Sequence, residues 1–193
     1  MRYIESIKIV NGSLLRYAFH MQRIERTLGF PLSIPTTVPL SFQRGVVKYR
    51  LVYSAELGIE EVSYSFYTLP CIGSLQLVEA GNLDYHCKFE DRSSLQHFMT
   101  LRHHCDDILL LSNGMVTDSS FCNLVFENEQ GLFTPRQSLL KGTQQAALLA
   151  QQIISYADIS VFSISNYQRV HLINAMIELG ELTLPVTHIA PIL

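Results

Sequence analysis

Four short segments carry, in chain order, side chains that together suit one kind of chemistry. Lys88 supplies an amine, Asp118 supplies a carboxylate, and Gly142-Thr143 opens a run of helix-forming residues. Asn174-Ala175 adds a turn of small residues after an apolar run. An amine forms a Schiff base with an aldehyde, and the N–H groups at the start of a helix bind phosphate. The set therefore indicates a site for a phosphorylated aldehyde cofactor.

Pyridoxal 5'-phosphate is such a cofactor, and its parts make separate demands on a protein. The aldehyde needs a lysine, the ring nitrogen needs a carboxylate that keeps it protonated, and the phosphate needs several hydrogen-bond donors. Gly142 permits a tight entry of the chain into the helix that Thr143-Gln144 begins. Taken singly, Lys88 is an ordinary surface lysine and Asp118 an ordinary turn residue. The prediction therefore depends on their order and spacing.

The same segments resemble the class IV aminotransferase family, the fold type IV pyridoxal-phosphate enzymes. The resemblance rests on linked motifs and extends from about Ile4 to about Val186. The motifs are Asp84-Tyr-His-Cys-Lys88-Phe-Glu-Asp91-Arg92, Asn113-Gly-Met-Val-Thr-Asp118-Ser-Ser-Phe-Cys-Asn123-Leu-Val-Phe126, Thr134-Pro135, Leu139-Leu140-Lys-Gly142-Thr143 and Ile173-Asn174-Ala175-Met176.

The resemblance implies a role for each matching residue. Lys88 is expected to carry the cofactor and to move protons at the substrate, while Asp118 contacts the ring nitrogen. His20-Met-Gln-Arg23 resembles the family's His-x-x-Arg, whose arginine binds the cofactor phosphate; a solvated helix arginine is the alternative. The other positions implied to bind the cofactor are Asn123, Gly142, Thr143, Gln144, Asn174 and Ala175, and Arg92 is implied to bind substrate.

Two positions indicate which reaction to expect. Asp118 stands where the family usually has glutamate, so its carboxylate is one methylene shorter and the ring-nitrogen contact is expected to be weaker. A lyase that forms an aromatic product tolerates this better than a transaminase, because aromatisation supplies driving force. Asn174-Ala175 also resembles 4-amino-4-deoxychorismate lyases, whereas branched-chain and D-amino-acid aminotransferases tend to carry Ser/Thr-Gly there. The expected reaction converts 4-amino-4-deoxychorismate to 4-aminobenzoate and pyruvate, a step of folate biosynthesis.

Two other functions stay open at this point. One is a class IV aminotransferase acting on branched-chain or D-amino acids, and the other is a catalytically idle relative that binds the cofactor or a partner protein. The retained Lys88 disfavours the idle relative. The partner is expected to be a small amino compound, whose carboxylates have Arg44, Arg50 and Arg92 as candidate ligands. Because family members form the site near a subunit interface, the resemblance also implies a homodimer.

Composition excludes several other classes. The chain has 193 residues and is 48% hydrophobic, which is enough to bury one or two cores. A net charge of −3 without basic runs predicts that neither nucleic acid nor an anionic membrane is a partner. With no spanning apolar stretch and no signal-peptide core, a cytoplasmic location is expected. The cysteines are expected to be free thiols, and the Cys and His spacing predicts no metal site.

The expected fold class is α/β (α+β), with two domains. Residues 1–80 are predicted to form a small N-terminal α/β domain, and residues 81–193 a larger C-terminal pseudo-barrel domain that carries Lys88. Strands are predicted at Tyr3–Val10, Ser13–Tyr17, Val47–Tyr53, Glu61–Thr68, Leu75–Glu79, Asp107–Leu111, Asn123–Glu127, Ile159–Phe162 and Val170–Ile173. Helices are predicted at Phe19–Leu28, Ser41–Val46, Ser93–Arg102 and 143–155.

Overall fold

The computed structural model describes residues 1–192, which form two compact units. Unit 1 comprises Met1–Leu69 together with Cys87–Asp91. Unit 2 comprises Pro70–His86 and the chain from Arg92 onward. In the described part of the chain, no helix is long and apolar enough to cross a membrane.

This division differs from the predicted boundary at residue 80 in two places. Leu75–Glu79 pairs in parallel with the strand that begins at Asp107, so it belongs to unit 2. Cys87–Asp91 returns to unit 1 because its backbone bonds to the first strand, where the Ile4 N–H donates to the Lys88 carbonyl at 2.9 Å. Lys88 therefore lies in the N-terminal unit and not in the C-terminal one.

Unit 1 is a four-stranded antiparallel sheet with one helix. The elements are β1 (Tyr3–Val10), β2 (Ser13–Leu14), α1 (Tyr17–Leu28), a 3₁₀ turn (Leu40–Phe42), β3 (Val46–Ser54) and β4 (Gly58–Phe66). The sheet order is β2-β1-β3-β4. The β1–β2 turn matches the Asn11-Gly12 hairpin signal, since both residues have positive φ, 48° and 83°.

Strand alternation divides this sheet into two faces. Ile7 and Ile9 of β1 and Tyr49 and Leu51 of β3 are buried in one core, together with Ile24 of α1. Successive strand residues point to opposite faces, so the even-numbered residues of β1 and β3 lie on the face away from that core. Unit 1 thus has one mainly apolar sheet face and one face that also carries the polar and basic residues Ser6, Lys8, Lys48 and Arg50.

Two predicted elements of unit 1 are wrong in extent or type. The strand predicted over Ser13–Tyr17 stops at Leu14, because α1 already begins at Tyr17. The helix predicted over Ser41–Val46 is only a 3₁₀ turn, since Gly45 adopts φ 78° and Val46 starts β3. A left-handed glycine ends helical geometry, which the apolar pattern alone did not reveal.

Unit 2 is built on a sheet that includes parallel and antiparallel pairs. The elements are β5 (Leu75–Glu79), α2 (Ser93–Met99), a 3₁₀ turn (Thr100–Arg102), β6 (Asp107–Ser112), β7 (Met115–Ser119), β8 (Asn123–Asn128), β9 (Gly131–Pro135), α3 (Thr143–Ala150), β10 (Ser155–Ala157), a 3₁₀ helix (Val161–Asn166), β11 (Arg169–Ile173), β12 (Thr183–Pro185), a 3₁₀ turn (Val186–His188) and β13 (Ile189–Ala190). The main strand order is β10-β9-β8-β7-β6-β5-β13, and β11 pairs with β8 and β12.

Two predictions for unit 2 need correction. The strand predicted over Ile159–Phe162 is replaced by the 3₁₀ helix that starts at Val161, because Ser160 and Ser163 form a reciprocal capping box. The helix predicted over 143–155 ends at Ala150, before β10. The other predicted strands lie within one residue of the observed bounds, except that the strand predicted over Glu61–Thr68 is β4 at Gly58–Phe66.

A buried hydroxyl joins α3 to the sheet. Thr134 of β9 is fully buried and donates its hydroxyl to the Leu124 carbonyl at 2.8 Å. The same hydroxyl accepts a hydrogen bond from Gln145 Nε2 at 2.8 Å. Thr134 therefore fixes the first turn of α3 against β8 and β9.

We expect Thr134→Val to destabilise the protein by about 1–3 kcal/mol, because it leaves the buried Gln145 amide without its acceptor. Urea unfolding at pH 7 measures the change. Thr36→Val is the matched control, because Thr36 is exposed and should unfold like wild type. Equal midpoints for both variants would contradict this assignment.

Candidate functional site

Asp118 is a buried carboxylate on β7. Its side chain is 5% exposed. Asn123 Nδ2 donates to Asp118 Oδ1 at 2.9 Å, and the Leu140 N–H donates to Oδ2 at 2.9 Å. Burial raises the pKa of Asp118 to about 7, and hydrogen bonds from Leu140, Asn123 and Leu139 offset only part of that shift. These donors are neutral amides, so a cation beside Asp118 would stabilise its charged form.

Asn123 ties this carboxylate to the chain that enters α3. It pairs directly with Asp118 across β7 and β8, and its Nδ2 also donates to the Leu140 carbonyl at 2.7 Å. A Cβ atom built on Gly142 would lie 1.9 Å from Asn123 Oδ1. Gly142 has an ordinary extended backbone, so the close approach of Asn123, and not a special φ, requires glycine there.

The start of α3 combines a helix N-terminus with a buried amide side chain. Thr143 and Gln144 are 2% and 4% exposed. The first helical hydrogen bond runs from the Ala146 N–H to the Gly142 carbonyl at 2.9 Å, so the preceding N–H groups lie outside the helical pattern. Within residues 1–192, Gln144 Oε1 is buried without a hydrogen-bond partner. An orphaned polar group of this kind fits a site completed by a polar ligand.

Asn174 and Ala175 form a closed turn after β11. Asn174 Oδ1 accepts the N–H groups of Met176 and Ile177 at 2.8 and 3.1 Å. Its Nδ2 donates to the Phe121 carbonyl at 3.4 Å, and Ala175 is 9% exposed. The amide of Asn174 thus organises the turn and attaches it to the loop that follows β7.

Strand register brings these parts of unit 2 together. Ile173, next to the Asn174 turn, pairs with Asn123, and Asn123 pairs with Asp118. Asp118 and Asn123 both bond to Leu140, two residues before Gly142. Residues from three predicted motifs therefore meet at a single residue, Asn123.

Arg92 contacts the same hairpin. Its Nη2 donates to the carbonyl of Ser120, in the loop between Asp118 and Asn123. Its Nε is buried and has no partner among the residues that the structure describes. One of its donors therefore holds the hairpin, which is a positioning contact that the sequence did not suggest.

Arg23 is buried in unit 1, so the solvated-arginine interpretation is wrong. It is 7% exposed, and its Nε donates to Glu5 Oε2 at 3.1 Å while Nη2 bonds to Glu5 Oε1. His20 Nδ1 lies 2.8 Å from the same Glu5 Oε1. Glu5 thus fixes the orientation of the guanidinium through a two-point contact.

The protonation states follow from burial and charge. Burial alone raises the pKa of Glu5, but the charge of Arg23, the ring of His20 and their hydrogen bonds outweigh it and lower the pKa to about 2. Burial lowers the pKa of His20 although Glu5 opposes this shift. Both pKa shifts are explained if Glu5 is ionised and paired with Arg23, and if His20 is neutral and donates its Nδ1–H to Glu5.

Glu5 and His20 were missed as site residues, yet the sequence held a signal. Glu5 shares the alternation of Tyr3, Ile7 and Ile9, whose side chains face the core of unit 1. A carboxylate on a core-facing strand position needs a buried partner. Arg23 of α1 is that partner.

Lys88 is half-buried and sits in a tight turn beside β1. The Phe89 N–H donates to the Cys87 carbonyl at 3.0 Å, so Lys88 is the central residue of a three-residue turn. Phe89 forms a β-bridge with Tyr3, and their ring centroids lie 5.6 Å apart. Lys88 and Arg23 thus belong to unit 1, whereas the Asp118 cluster belongs to unit 2.

Comparison with known proteins places this chain among related sequences and folds. The profile described as "Amino-transferase class IV" matches residues 96–187. A Haemophilus influenzae protein named only as uncharacterized is 31% identical over 182 residues, covering 89% of this chain and 96% of its own.

Solved structures with the same fold extend the comparison. A "putative 4-amino-4-deoxychorismate lyase" from Haemophilus somnus is 27% identical with a TM-score of 0.82, covering 92% of this chain and 97% of its own. A "putative amino-acid aminotransferase" from Mesorhizobium loti is 20% identical with a TM-score of 0.78, covering 99% of both chains. A Mycobacterium tuberculosis "hypothetical aminotransferase" in its PLP-bound form is 18% identical with a TM-score of 0.75, covering 97% of this chain and 81% of its own.

The Glu5 contact predicts a specific pH dependence of stability. The pKa of Glu5 falls from 4.5 to about 2 on folding, so its contribution is complete above pH 4.5 and is lost as pH falls toward 2. We expect wild type to lose about 3 kcal/mol more of its unfolding free energy than Glu5→Gln over that interval. Urea unfolding between pH 5 and pH 2 measures the difference, and parallel curves would disprove the ionised state.

Proposed function

We propose that this chain, which belongs to the class IV aminotransferase family, is a pyridoxal-phosphate-dependent lyase. The proposed reaction converts 4-amino-4-deoxychorismate to 4-aminobenzoate and pyruvate. Its support at this finer level is the 27% identity to the Haemophilus somnus protein of that name, along almost the full length of both chains. The Asn174-Ala175 turn, which resembles lyases of this kind, supports the same choice.

The observation that carries the cofactor proposal is the environment of Asp118. A carboxylate that is 5% exposed and bonded to neutral amides fits a cationic ring nitrogen. The proposed ligands of the other parts are Lys88 for the aldehyde, and Arg23 with the start of α3 for the phosphate. Gln144 belongs to that last group through its N–H donors, whereas its orphaned amide oxygen is an acceptor that suits a donor group of a ligand and not the phosphate itself. Bound pyridoxal phosphate supplies an electron sink for the substrate carbon that bears the amine.

The chain's own residues then carry out proton transfer and orientation. The Lys88 amine removes the proton from the carbon that bears the substrate amine. The C–O bond at the neighbouring carbon breaks, the ring becomes aromatic, and the leaving enolpyruvate takes up a proton to form pyruvate. Asp118, which Asn123 and Leu140 hold in place, would stay ionised and keep the ring nitrogen of the bound cofactor protonated.

The shorter carboxylate at position 118 supports a lyase over a transaminase. A transaminase relies on strong electron withdrawal in both half-reactions, whereas aromatisation drives the lyase reaction forward. Among family members the site lies near a subunit interface, so we also propose a homodimer. The proposed partner is a small amino substrate.

Asp118→Asn should separate cofactor binding from stability. Without cofactor, the raised pKa of Asp118 means that wild type loses up to about 4 kcal/mol as pH rises from about 4 to about 7. Asparagine avoids this loss but turns one acceptor oxygen into a donor that faces the N–H of Asn123 or Leu140, at a cost of about 1–3 kcal/mol. Because that cost is the smaller of the two, the cofactor-free variant should be the more stable protein at pH 8. The same variant should bind pyridoxal phosphate about tenfold more weakly or worse, because the ring nitrogen loses its counter-charge.

Urea unfolding of the cofactor-free protein and titration with pyridoxal phosphate measure the two effects. Asp158→Asn is the control, because Asp158 is an exposed partner of Arg136. A variant that is less stable at pH 8 and binds the cofactor normally would show that Asp118 is purely structural.

Release of pyruvate from 4-amino-4-deoxychorismate, with no keto acid present, tests the lyase assignment. We expect the cofactor-loaded protein to release pyruvate and 4-aminobenzoate in equal amounts, and Lys88→Ala to release neither. Turnover that requires a 2-keto acid would instead identify an aminotransferase. A cofactor-loaded protein that is inactive in both assays would be an idle relative.

A further inference from the structure

Both carboxylate oxygens of Glu90, which follows Lys88 closely in the chain, are bonded to arginines. Arg50 Nη2 donates to Glu90 Oε1 at 3.1 Å, and Arg2 Nη1 lies 3.1 Å from Glu90 Oε2. Arg50 belongs to β3, whereas Arg2 directly precedes β1. Glu90 and the two arginines, here named the Glu90 clamp, therefore join the segment that carries Lys88 to two neighbouring strands of the unit 1 sheet.

The segment that carries Lys88, Cys87–Asp91, is placed by its contacts with this sheet. The chain on both sides of it belongs to unit 2, so it does not continue a strand of unit 1. The Ile4 N–H donates to the Lys88 carbonyl at 2.9 Å, and the Glu90 N–H donates to the Arg2 carbonyl at 3.1 Å. Glu90 thus contacts the sheet through its backbone as well as through its side chain.

The ion pairs of the Glu90 clamp are partly shielded from water. The side chain of Glu90 is 25% exposed and that of Arg50 is 31% exposed. An isolated exposed ion pair contributes little to stability, whereas charges that form a network contribute more. Such a network is present, because Arg2 also lies 3.3 Å from Glu60 and bonds to Glu61, both on β4. Arg2 is therefore anchored to β4 as well as to Glu90.

The clamp gives Arg50 a role other than the one considered from the sequence. Arg50 is a candidate ligand for a substrate carboxylate, yet its guanidinium already bonds to Glu90 and lies 3.9 Å from Glu61. Of the other two candidates, Arg44 is exposed on the chain before β3, and Arg92 donates to a carbonyl in unit 2.

We propose that Glu90 is a positioning residue, which holds Lys88 where its amine reacts with the cofactor aldehyde. The inference rests on the proposed function, because it assumes that Lys88 bonds to that aldehyde and releases its oxygen as water. A segment that is already fixed loses little conformational freedom when the bond forms. The clamp therefore strengthens covalent attachment, and it should leave the binding of an analogue that lacks the aldehyde unchanged.

The affinities of pyridoxal 5'-phosphate and pyridoxine 5'-phosphate for the cofactor-free protein test this inference by calorimetry. The second compound carries an alcohol in place of the aldehyde, so the ratio of the two affinities isolates the bond to Lys88. We expect wild type to prefer the aldehyde. Glu90→Gln should reduce that preference about three- to fivefold, the range expected for a partly exposed ion pair, and should bind the alcohol as wild type does.

Two further variants distinguish positioning from a simple effect of charge on the Lys88 amine. Removal of a negative charge near Lys88 favours the neutral, reactive amine, whereas removal of a positive charge disfavours it. Charge alone would thus make Glu90→Gln and Arg50→Gln change the preference in opposite directions, whereas loss of the clamp makes both reduce it. Glu60→Gln is the matched control, because it removes a partner of Arg2 on β4 and should keep the wild-type preference.

Hydrogen exchange of the Ile4 amide tests the clamp without any cofactor. Its N–H donates to the Lys88 carbonyl, so it should exchange faster in Glu90→Gln and Arg50→Gln than in wild type and Glu60→Gln. Thermal melts report whether each variant folds. If Glu90→Gln does not fold, Arg50→Gln decides: faster exchange with a reduced preference supports the inference, and wild-type exchange overturns it.

The outcomes separate this inference from the proposed function. If wild type prefers the aldehyde and Glu90→Gln keeps or increases that preference, Glu90 does not position Lys88, although the proposed cofactor chemistry stands. If wild type binds the aldehyde and the alcohol equally, the proposed function is contradicted and the inference fails with it.

Discussion

The placement of one buried carboxylate determines how unit 2 builds its site. Asp118 accepts hydrogen bonds from Asn123 on β8 and from the backbone of Leu140. Asn123 in turn packs against Gly142 so closely that no side chain fits there. Movement of the carboxylate would therefore displace both the β7–β8 hairpin and the start of α3. Geometry and charge are coupled, because the groups that position Asp118 are neutral amides, whose hydrogen bonds lower its pKa less than burial raises it.

Each unit contains a buried acid, and the pKa values of the two acids are shifted in opposite directions. Glu5 has a guanidinium within hydrogen-bond distance, and its pKa falls to about 2. Asp118 has only amide donors, and its pKa rises to about 7. The first acid is satisfied within the protein and serves to orient Arg23. For the second acid, the proposed partner is the cationic ring nitrogen of the cofactor, and a strongly shifted pKa of this kind is typical of a functional site.

Local sequence patterns predicted much of this arrangement and failed where distant backbone segments meet. The alternation in Tyr3–Val10 and the glycine before Thr143 gave β1 and the start of α3 correctly. The return of Cys87–Asp91 to β1 could not be predicted, because pairing between residues far apart leaves no local pattern. The hydrogen bond from the Leu140 N–H to Asp118 could not be predicted either, because nearly every residue type carries a backbone N–H donor. The buried ion pair of Glu5 could have been predicted, because Glu5 occupies a core-facing position of β1.

Identification of the lysine that carries the cofactor tests the central claim most directly. The protein is incubated with pyridoxal phosphate, reduced with borohydride, digested and analysed by mass spectrometry. The account predicts a phosphopyridoxyl group on the peptide that contains Lys88, with the peptides of Lys8, Lys48 and Lys141 unmodified. Specific labelling of another lysine, or no labelling at all, would contradict it.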